Sequence, residues 1–412
     1  MTKKPRVLLN WDTERKDLLE PFIRLHEHIE FIIIWGDYVP EGKKKHPFRQ
    51  ISFKSYSTPY ALLKDIAPHK VLFFNINSFP QVALNLAAHN MGIITYVMHH
   101  GIHHSDFLEI VQRKAAMEGP PQNKLTSNFQ TFRFYFSALK FKNLRQLPAF
   151  IRFAWYRKRM ERLLAAEKCV FPARLPDWYI NLSPHNAIAI KKVDHIRDDT
   201  RFIYIGHPFF DRILSDFAEL QKQPATVTEK YWLLIDFPNN DTVVAFKLMG
   251  ASGKIAFYQQ LSSIAKRAGY RLKIKLHPFG YDSVHNYQDE NIDLIRETDM
   301  ARLIFDAAAC FSFFSTLLIP VIYAKGFCHI FHIGEDRHLQ TELVELGVGV
   351  KLNTFNFSES DIVYSRETIS GAAQRIFVER YLYNPDGRAT ERLYKVLADE
   401  NGRSNKRQAD NY

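Results

Sequence analysis

Lys70-Val71-Leu72-Phe73-Phe74-Asn75-Ile76, the amphipathic run 82–89 and Gly92-Ile93-Ile94-Thr95-Tyr96-Val97-Met98 follow one another along the chain. A short run rich in β-branched and aromatic residues predicts a strand, and apolar residues at helical spacing predict a helix. Toward the N-terminus the same alternation occurs in 7–11, 18–28, 31–35 and 60–66, so the first hundred residues spell βαβαβαβ. Parallel strands need crossovers that cover the sheet, and the expected result is a doubly wound N-terminal domain.

Toward the C-terminus the rhythm breaks over about 106–168 and resumes with a strand at 178–182, a helix at 184–192 and a strand at 201–205. A polar stretch, 215–230, reads as a linker. A second α/β series then begins, with strands expected at 232–236, 271–276, 292–295, 310–314, 329–332 and 348–352. Its helices are expected at 254–268, 300–307, 316–324 and 339–346, followed by a long helical segment over 371–398. The fold class is therefore α/β, two Rossmann-like doubly wound domains facing a cleft: 1–214 with a helical insertion at about 106–168, the linker, 231–400, and a disordered tail at 401–412.

The composition narrows the choices. At 412 residues two domains are the natural expectation. With 46% hydrophobic and 14% aromatic residues the chain has ample surface to bury, which excludes a disordered protein, and no repeat of solenoid or propeller length is present. Three scattered cysteines, Cys169, Cys310 and Cys328, suit a reducing compartment. The start, with Val7-Leu8-Leu9 broken at once by Asn10 and Asp12, is not a signal peptide, and no window approaches a membrane span. A cytoplasmic location is expected. The net charge of +11 favours anionic partners.

Within the insertion, residues 131–163 hold nine basic residues against one acidic residue, Glu161, and nine aromatics. Such a segment fits two readings: a peripheral contact with an anionic membrane surface at the inner face, or an insertion whose aromatics pack on the sheet. No recognised nucleic-acid module accompanies it, and nucleic acid is not expected as a partner.

In open parallel sheets ligands bind beyond the carboxyl ends of the strands. There the chain carries Met98-His99-His100-Gly101-Ile102-His103-His104-Ser105-Asp106. An imidazole at such a place suits proton removal from a hydroxyl, with Asp106 as its orienter. A metal site and functionless loop histidines are the other readings, and no metal is expected. In the second lobe Lys273-Ile274-Lys275-Leu276-His277-Pro278 leaves an imidazole at a strand tip, because the proline ends the strand. Cys310-Phe311-Ser312-Phe313-Phe314-Ser315-Thr316 runs from a strand into a helix with Ser315 as the expected N-cap, a place suited to phosphate. Gly250-Ala251-Ser252-Gly253-Lys254 lacks the first glycine and the Ser/Thr of a phosphate loop, and reads as a turn before a helix.

Taken together these stretches resemble two-lobed glycosyltransferases of the GT-B type, in particular the bacterial surface-polymer group of capsule sialyl- and polysialyltransferases, Kdo transferases and teichoic-acid glycerophosphotransferases. His99-His100-Gly101-Ile102 is similar to the group's His-Gly or Asp-Gly motif. Asn181-Leu182-Ser183-Pro184 resembles its strand, serine, helix element, and Gly206-His207-Pro208-Phe209-Phe210-Asp211 its Gly-x-Pro-x-x-Asp turn. Lys275-Leu276-His277-Pro278 matches its Lys-x-His-Pro motif, Ser315-Thr316 lies where it has paired hydroxyl residues, and Asp386-Gly387 to Arg392 resembles its Asp-Gly-x-x-x-x-Arg segment. Phe313 and Phe314 stand where the group has an acidic residue and the first serine, so the donor headgroup does not carry over.

The resemblance implies an inverting, metal-independent glycosyltransferase that moves a sugar or glycerophosphate-like unit from a nucleotide-activated donor, CMP- or CDP-linked, to a surface glycan or lipid-linked acceptor. No cofactor is implied, since the nucleotide sugar is a substrate. His100 would be the base, with His99 second and Asp106 orienting. His277, Pro278, Lys275, Ser315, Thr316 and Gly206 would bind the donor nucleotide. The alternatives are a nucleotide-sugar epimerase of the same shape and a non-catalytic scaffold in polysaccharide export.

Overall fold

In a computed structural model of the chain the described residues are 4–10, 16–36, 46–99, 101, 107–118, 129–223, 230–237, 244–277, 284, 287–313, 315–333, 338–362 and 371–399. They form two compact units, one of residues up to Phe209 together with those from Arg388 onward, the other Phe210–Gly387.

The first unit is built on β1 (Arg6–Asn10), β2 (Glu30–Trp35), β3 (Arg49–Ser52), β4 (Lys70–Phe73), β5 (Ile94–Met98), β6 (Trp178–Asn181) and β7 (Phe202–Tyr204), in the order β3-β2-β1-β4-β5-β6-β7. Every pairing is parallel. The sequence rhythm did not reveal β3, because this edge strand has only Ile51 as a buried apolar residue among polar neighbours. Alternate residues of one strand enter opposite cores. Val7 and Leu9 pack with α1 (Lys16–Leu25), whereas Leu8 packs with α2 (Pro59–Ile66) and α3 (Phe79–Met91). That period of two, with both faces apolar, is what a sheet covered on both sides requires.

The interval between β5 and β6 folds as α4 (Phe107–Glu118), α5 (Phe129–Phe136), α6 (Leu147–Arg159) and α7 (Arg162–Lys168). Phe134, Tyr135, Phe150 and Phe153 are buried there against α3, with the Tyr135 and Phe150 rings stacked at 4.5 Å. Beyond β6, α8 (Pro184–Asp194) starts with Ser183 as N-cap and proline in its first turn, the arrangement that satisfies the opening N–H groups.

The second unit opens with α9 (Asp211–Lys222), so the stretch expected as a linker over 215–230 is helical through its first half. Leu214, Phe217 and Leu220 recur at helical spacing among polar residues and bury one face. Its sheet follows β10-β9-β8-β11-β12-β13, all parallel, from β8 (Tyr231–Ile235), β9 (Arg271–Lys275), β10 (Ile292–Ile295), β11 (Ala307–Ser312), β12 (Cys328–His332) and β13 (Gly349–Asn353). The covering helices are α10 (Val244–Arg267), α11 (Met300–Asp306), α12 (Leu318–Lys325), α13 (His338–Glu345) and α14 (Gly371–Tyr381), and α10 is broken at Gly250, whose φ of 66° is non-helical.

The long C-terminal helical segment is two helices. After α14 the chain turns at Gly387, where φ is 69° and an added Cβ would lie 2.4 Å from Ser215 Oγ of α9, so only glycine fits. The final helix α15 (Ala389–Ala398) belongs to the first unit, where Leu393, Val396 and Leu397 complete the core beside α1. Lys70 Nζ donates to the Val396 carbonyl (2.7 Å) and the Asp399 carbonyl (2.5 Å), a cation on the carbonyl end of a helix.

Candidate active site

Each sheet reverses its winding once, between β1 and β4 in the first unit and between β8 and β11 in the second. Loops diverge at such a switch point, and the open space beyond the strand ends accepts ligands.

In the second unit β9, β8 and β11 are neighbours, so their carboxyl ends share one edge. His277 is half-buried directly after β9, while Asp236 after β8 donates its backbone N–H to the Lys275 carbonyl at 3.0 Å. Ser312 Oγ donates to the Ile235 carbonyl at 3.0 Å and stitches β11 to β8. The structure thus brings His277, Lys275, Ser315 and Thr316 to one edge of one sheet. Pro278 lies outside the described residues. Ser315 is not the N-cap expected of it: Leu317 holds that place, and Ser315 Oγ accepts from Leu317 N–H at 3.2 Å, forming a turn one step earlier. Thr316 is exposed at the same turn. Lys275 directs its ammonium away from a phosphate role, to the carbonyls of Leu276 (3.0 Å) and Arg296 (2.8 Å), and burial pushes its pKa down.

Beneath this edge lies a pair that no motif announced. Lys254 Nζ, fully buried, donates to Asp236 Oδ2 and to the Phe237 carbonyl, each at 2.8 Å, and sits 4.1 Å from the centre of the Phe237 ring. Burial pushes Asp236 up and Lys254 down, and the attraction between them opposes both shifts. The lysine of the Gly250–Lys254 stretch therefore holds the end of β8 from within.

In the first unit His99 follows β5, its ring 5.9 Å from that of Phe74. His100 and Asp106 lie outside the described residues. Asn186 of α8 donates to Asn181 Oδ1 (2.9 Å) and, at 3.5 Å, to the Gly101 carbonyl, which ties the His-Gly turn to the strand, serine, helix element. His99 also borders a hollow of about 30 Å³, shared with Asn75, Asn77, Arg174 and Asp194, room for about two waters. Arg174 is buried, forms an ion pair with Asp194 and donates to Asn77 Oδ1 at 3.1 Å, while Tyr179 OH donates to Asp194 Oδ2 at 2.6 Å. Arg174 Nε has no partner among the described residues. These residues are far apart in sequence and share no motif, which is why they were not foreseen.

Gly206 follows β7 with φ of 81°, a conformation that favours glycine, and its N–H donates to the Leu182 carbonyl at 3.1 Å. Arg392 Nε donates to the neighbouring Ile205 carbonyl at 2.7 Å, so the last arginine of the Asp-Gly segment braces this turn. Next to it His207 is buried, and desolvation pushes its pKa from 6.5 down to about 3. A depressed histidine contributes stability above its unfolded value that is lost as the pH falls toward the folded one. Relative to His207→Gln, urea titrations of the native chain are expected to show a loss of about 2–3 kcal/mol between pH 7 and 4.5.

Among the described residues no group of three or more His, Cys, Asp or Glu side chains is arranged to hold a metal, and no helix is long and apolar enough to cross a membrane.

Two doubly wound parallel-sheet units, each with its switch point, define the GT-B fold class. No protein-family profile and no curated protein matches the chain. Among solved structures it is similar to the calicheamicin glycosyltransferase CalG4, with a TM-score of 0.55 and 12% identity over 98% of this chain and 100% of that one. Two others are the UDP-GlcNAc 2-epimerase of Methanocaldococcus jannaschii, with a TM-score of 0.47 and 13% identity over 96% and 99% of the two chains, and the kitacinnamycin glycotransferase, with 0.47 and 10% over 99% and 98%. At these identities the likeness is one of fold.

Proposed function

We propose that the chain is a glycosyltransferase that takes a sugar, or a glycerophosphate-like unit, from a nucleotide-activated donor to a bacterial surface glycan or lipid-linked acceptor, with inversion and without a metal. The observation that carries the reading is the placement of His277, Ser315 and Thr316 at the carboxyl edge of one parallel sheet, after β9 and β11, the two neighbours of the central strand β8. Departure of a nucleotide builds negative charge on phosphate oxygens, and donors already fixed in place lower the barrier to it. His277 and the hydroxyls of Ser315 and Thr316 are assigned to that phosphate. Lys275, held on two carbonyls, contributes through its field. The acceptor base is assigned to the His-Gly turn of the first unit, to His100 with His99 second.

Thermal shifts with CMP, CDP, UDP and GDP identify the nucleotide, because a ligand of the native state raises its stability. With the nucleotide so found, His277→Ala is expected to weaken its binding about 10- to 100-fold by calorimetry and to lower turnover about 100-fold or more. Unchanged binding and kinetics would remove the assignment. Isomerised sugar formed from donor alone would replace the transferase by an epimerase, and no stabilisation by any nucleotide would favour a non-catalytic role in export.

A further inference from the structure

The helix α6 is amphipathic on the side facing its own core and apolar again on the side facing out. Phe150 and Phe153 point inward and are fully buried. Leu147, Ile151 and Trp155, at i, i+4 and i+8, form a second stripe on the opposite face, where Ile151 is 55% and Trp155 50% exposed. The stripe continues into the preceding turn at Phe141–Gln146, where Phe141 is 91% exposed. A single exposed apolar side chain is ordinary, but a contiguous row marks a surface of interaction.

The rim of this row is cationic. Lys142, Arg145, Lys158 and Arg159 are exposed beside it, and the Arg159 guanidinium lies 3.9 Å from the centre of the Trp155 ring. The one acidic residue of 131–163, Glu161, accepts from the N–H groups of Leu163 and Leu164 at the start of α7. An apolar stripe with an aromatic ring at each end, Phe141 and Trp155, and lysine or arginine beside both ends matches a bilayer interface, with acyl chains below and anionic headgroups beside it. We infer that the outer face of α6 and the turn before it form a docking surface for an anionic lipid bilayer. The two readings of this segment thus apply to its two faces: the inner aromatics pack toward the sheet, and the outer ones meet the membrane.

The test uses the full chain and vesicles of phosphatidylcholine with about 30% phosphatidylglycerol, against pure phosphatidylcholine, at about 0.1 M salt where electrostatic binding is still felt. The native chain is expected to sediment with the anionic vesicles and to be released as salt is raised. Lys158→Glu/Arg159→Glu is expected to weaken that binding about 20-fold or more, at about fivefold for each cation removed. Ile151→Ser/Trp155→Ser, which removes apolar contact and no charge, is expected to lose at least about tenfold. Because these side chains are exposed, both variants should melt within a few degrees of the native chain and keep its nucleotide-induced stabilisation, so failure here is separable from failure of the transfer reading. Equal binding to both vesicle types, or none, overturns the inference. So does a concentration-dependent dimer that Ile151→Ser/Trp155→Ser abolishes, or an RNA that competes the vesicles away.

Discussion

Lys254→Ala is expected to destabilise the second unit by about 3–5 kcal/mol, the cost of leaving a buried carboxylate without its partner. Asp236 would lose the cation that its Oδ2 accepts from, and Oδ1 already lacks a hydrogen bond among the described residues. In a scanning melt this corresponds to a fall of about 6–20 °C in the transition of that unit. The companion variant Asp236→Leu/Lys254→Met separates charge from shape. Replacing a buried pair by apolar side chains of similar volume is often neutral, so most of the loss should return. If the double variant remains as unstable as Lys254→Ala, the pair is not the source of the effect. The carboxyl edge that carries His277 and Ser315 would feel the same change, because Lys254 holds the Phe237 carbonyl at the end of β8.

Arg174→Ala carries the second large effect, about 3–5 kcal/mol, in the first unit. Among the described residues Asp194 then keeps the Tyr179 hydroxyl, and the Ile76 carbonyl and Asn77 Oδ1 both lose a donor. Arg174→Lys should recover only part of this, because an ammonium cannot reproduce a planar fork that bridges a carboxylate and two oxygens at once. Denaturation of the three proteins ranks the effect, and nucleotide affinity measured below the melting range should be the same for all of them, since His277, Ser315 and Thr316, the side chains assigned to the phosphate, belong to the other unit. Equal stability of the alanine variant and the native chain would show that the pair is of no net worth.

Most of the architecture was legible because parallel strands buried on both faces are runs of Val, Ile, Leu and Phe that the eye finds at once. The strand β3 escaped, having one buried apolar residue, and so did the helical nature of 215–222, whose Phe217 and Leu220 are diluted by Asp, Glu and Gln. The donor-side candidates were legible for a different reason. His277 follows a strand of alternating basic and apolar residues and Ser315 an apolar one, and position at a strand end is a property of sequence order. The buried pairs Lys254–Asp236 and Arg174–Asp194 have no such signature. Their partners are 18 and 20 residues apart, and burial of a charge is decided by tertiary packing that no local pattern records. Lys254 even sits in a stretch that resembles a phosphate loop, and its position within the fold gives it a different role.

The path of the chain after Gly387 bears on how the molecule can be divided. Because α15 closes the core beside α1 and receives Lys70 at its carbonyl end, the first unit is not one continuous stretch of sequence, and the second, which is, lies inserted within it. A fragment ending at Phe209 would lack Leu393, Val396 and Leu397 and would expose the apolar surface they cover, whereas a fragment of 210–387 carries all the strands of its sheet. The half suited to separate production is thus the interior one, and the outer half can be assembled only by splicing its last helix back onto the end of β7.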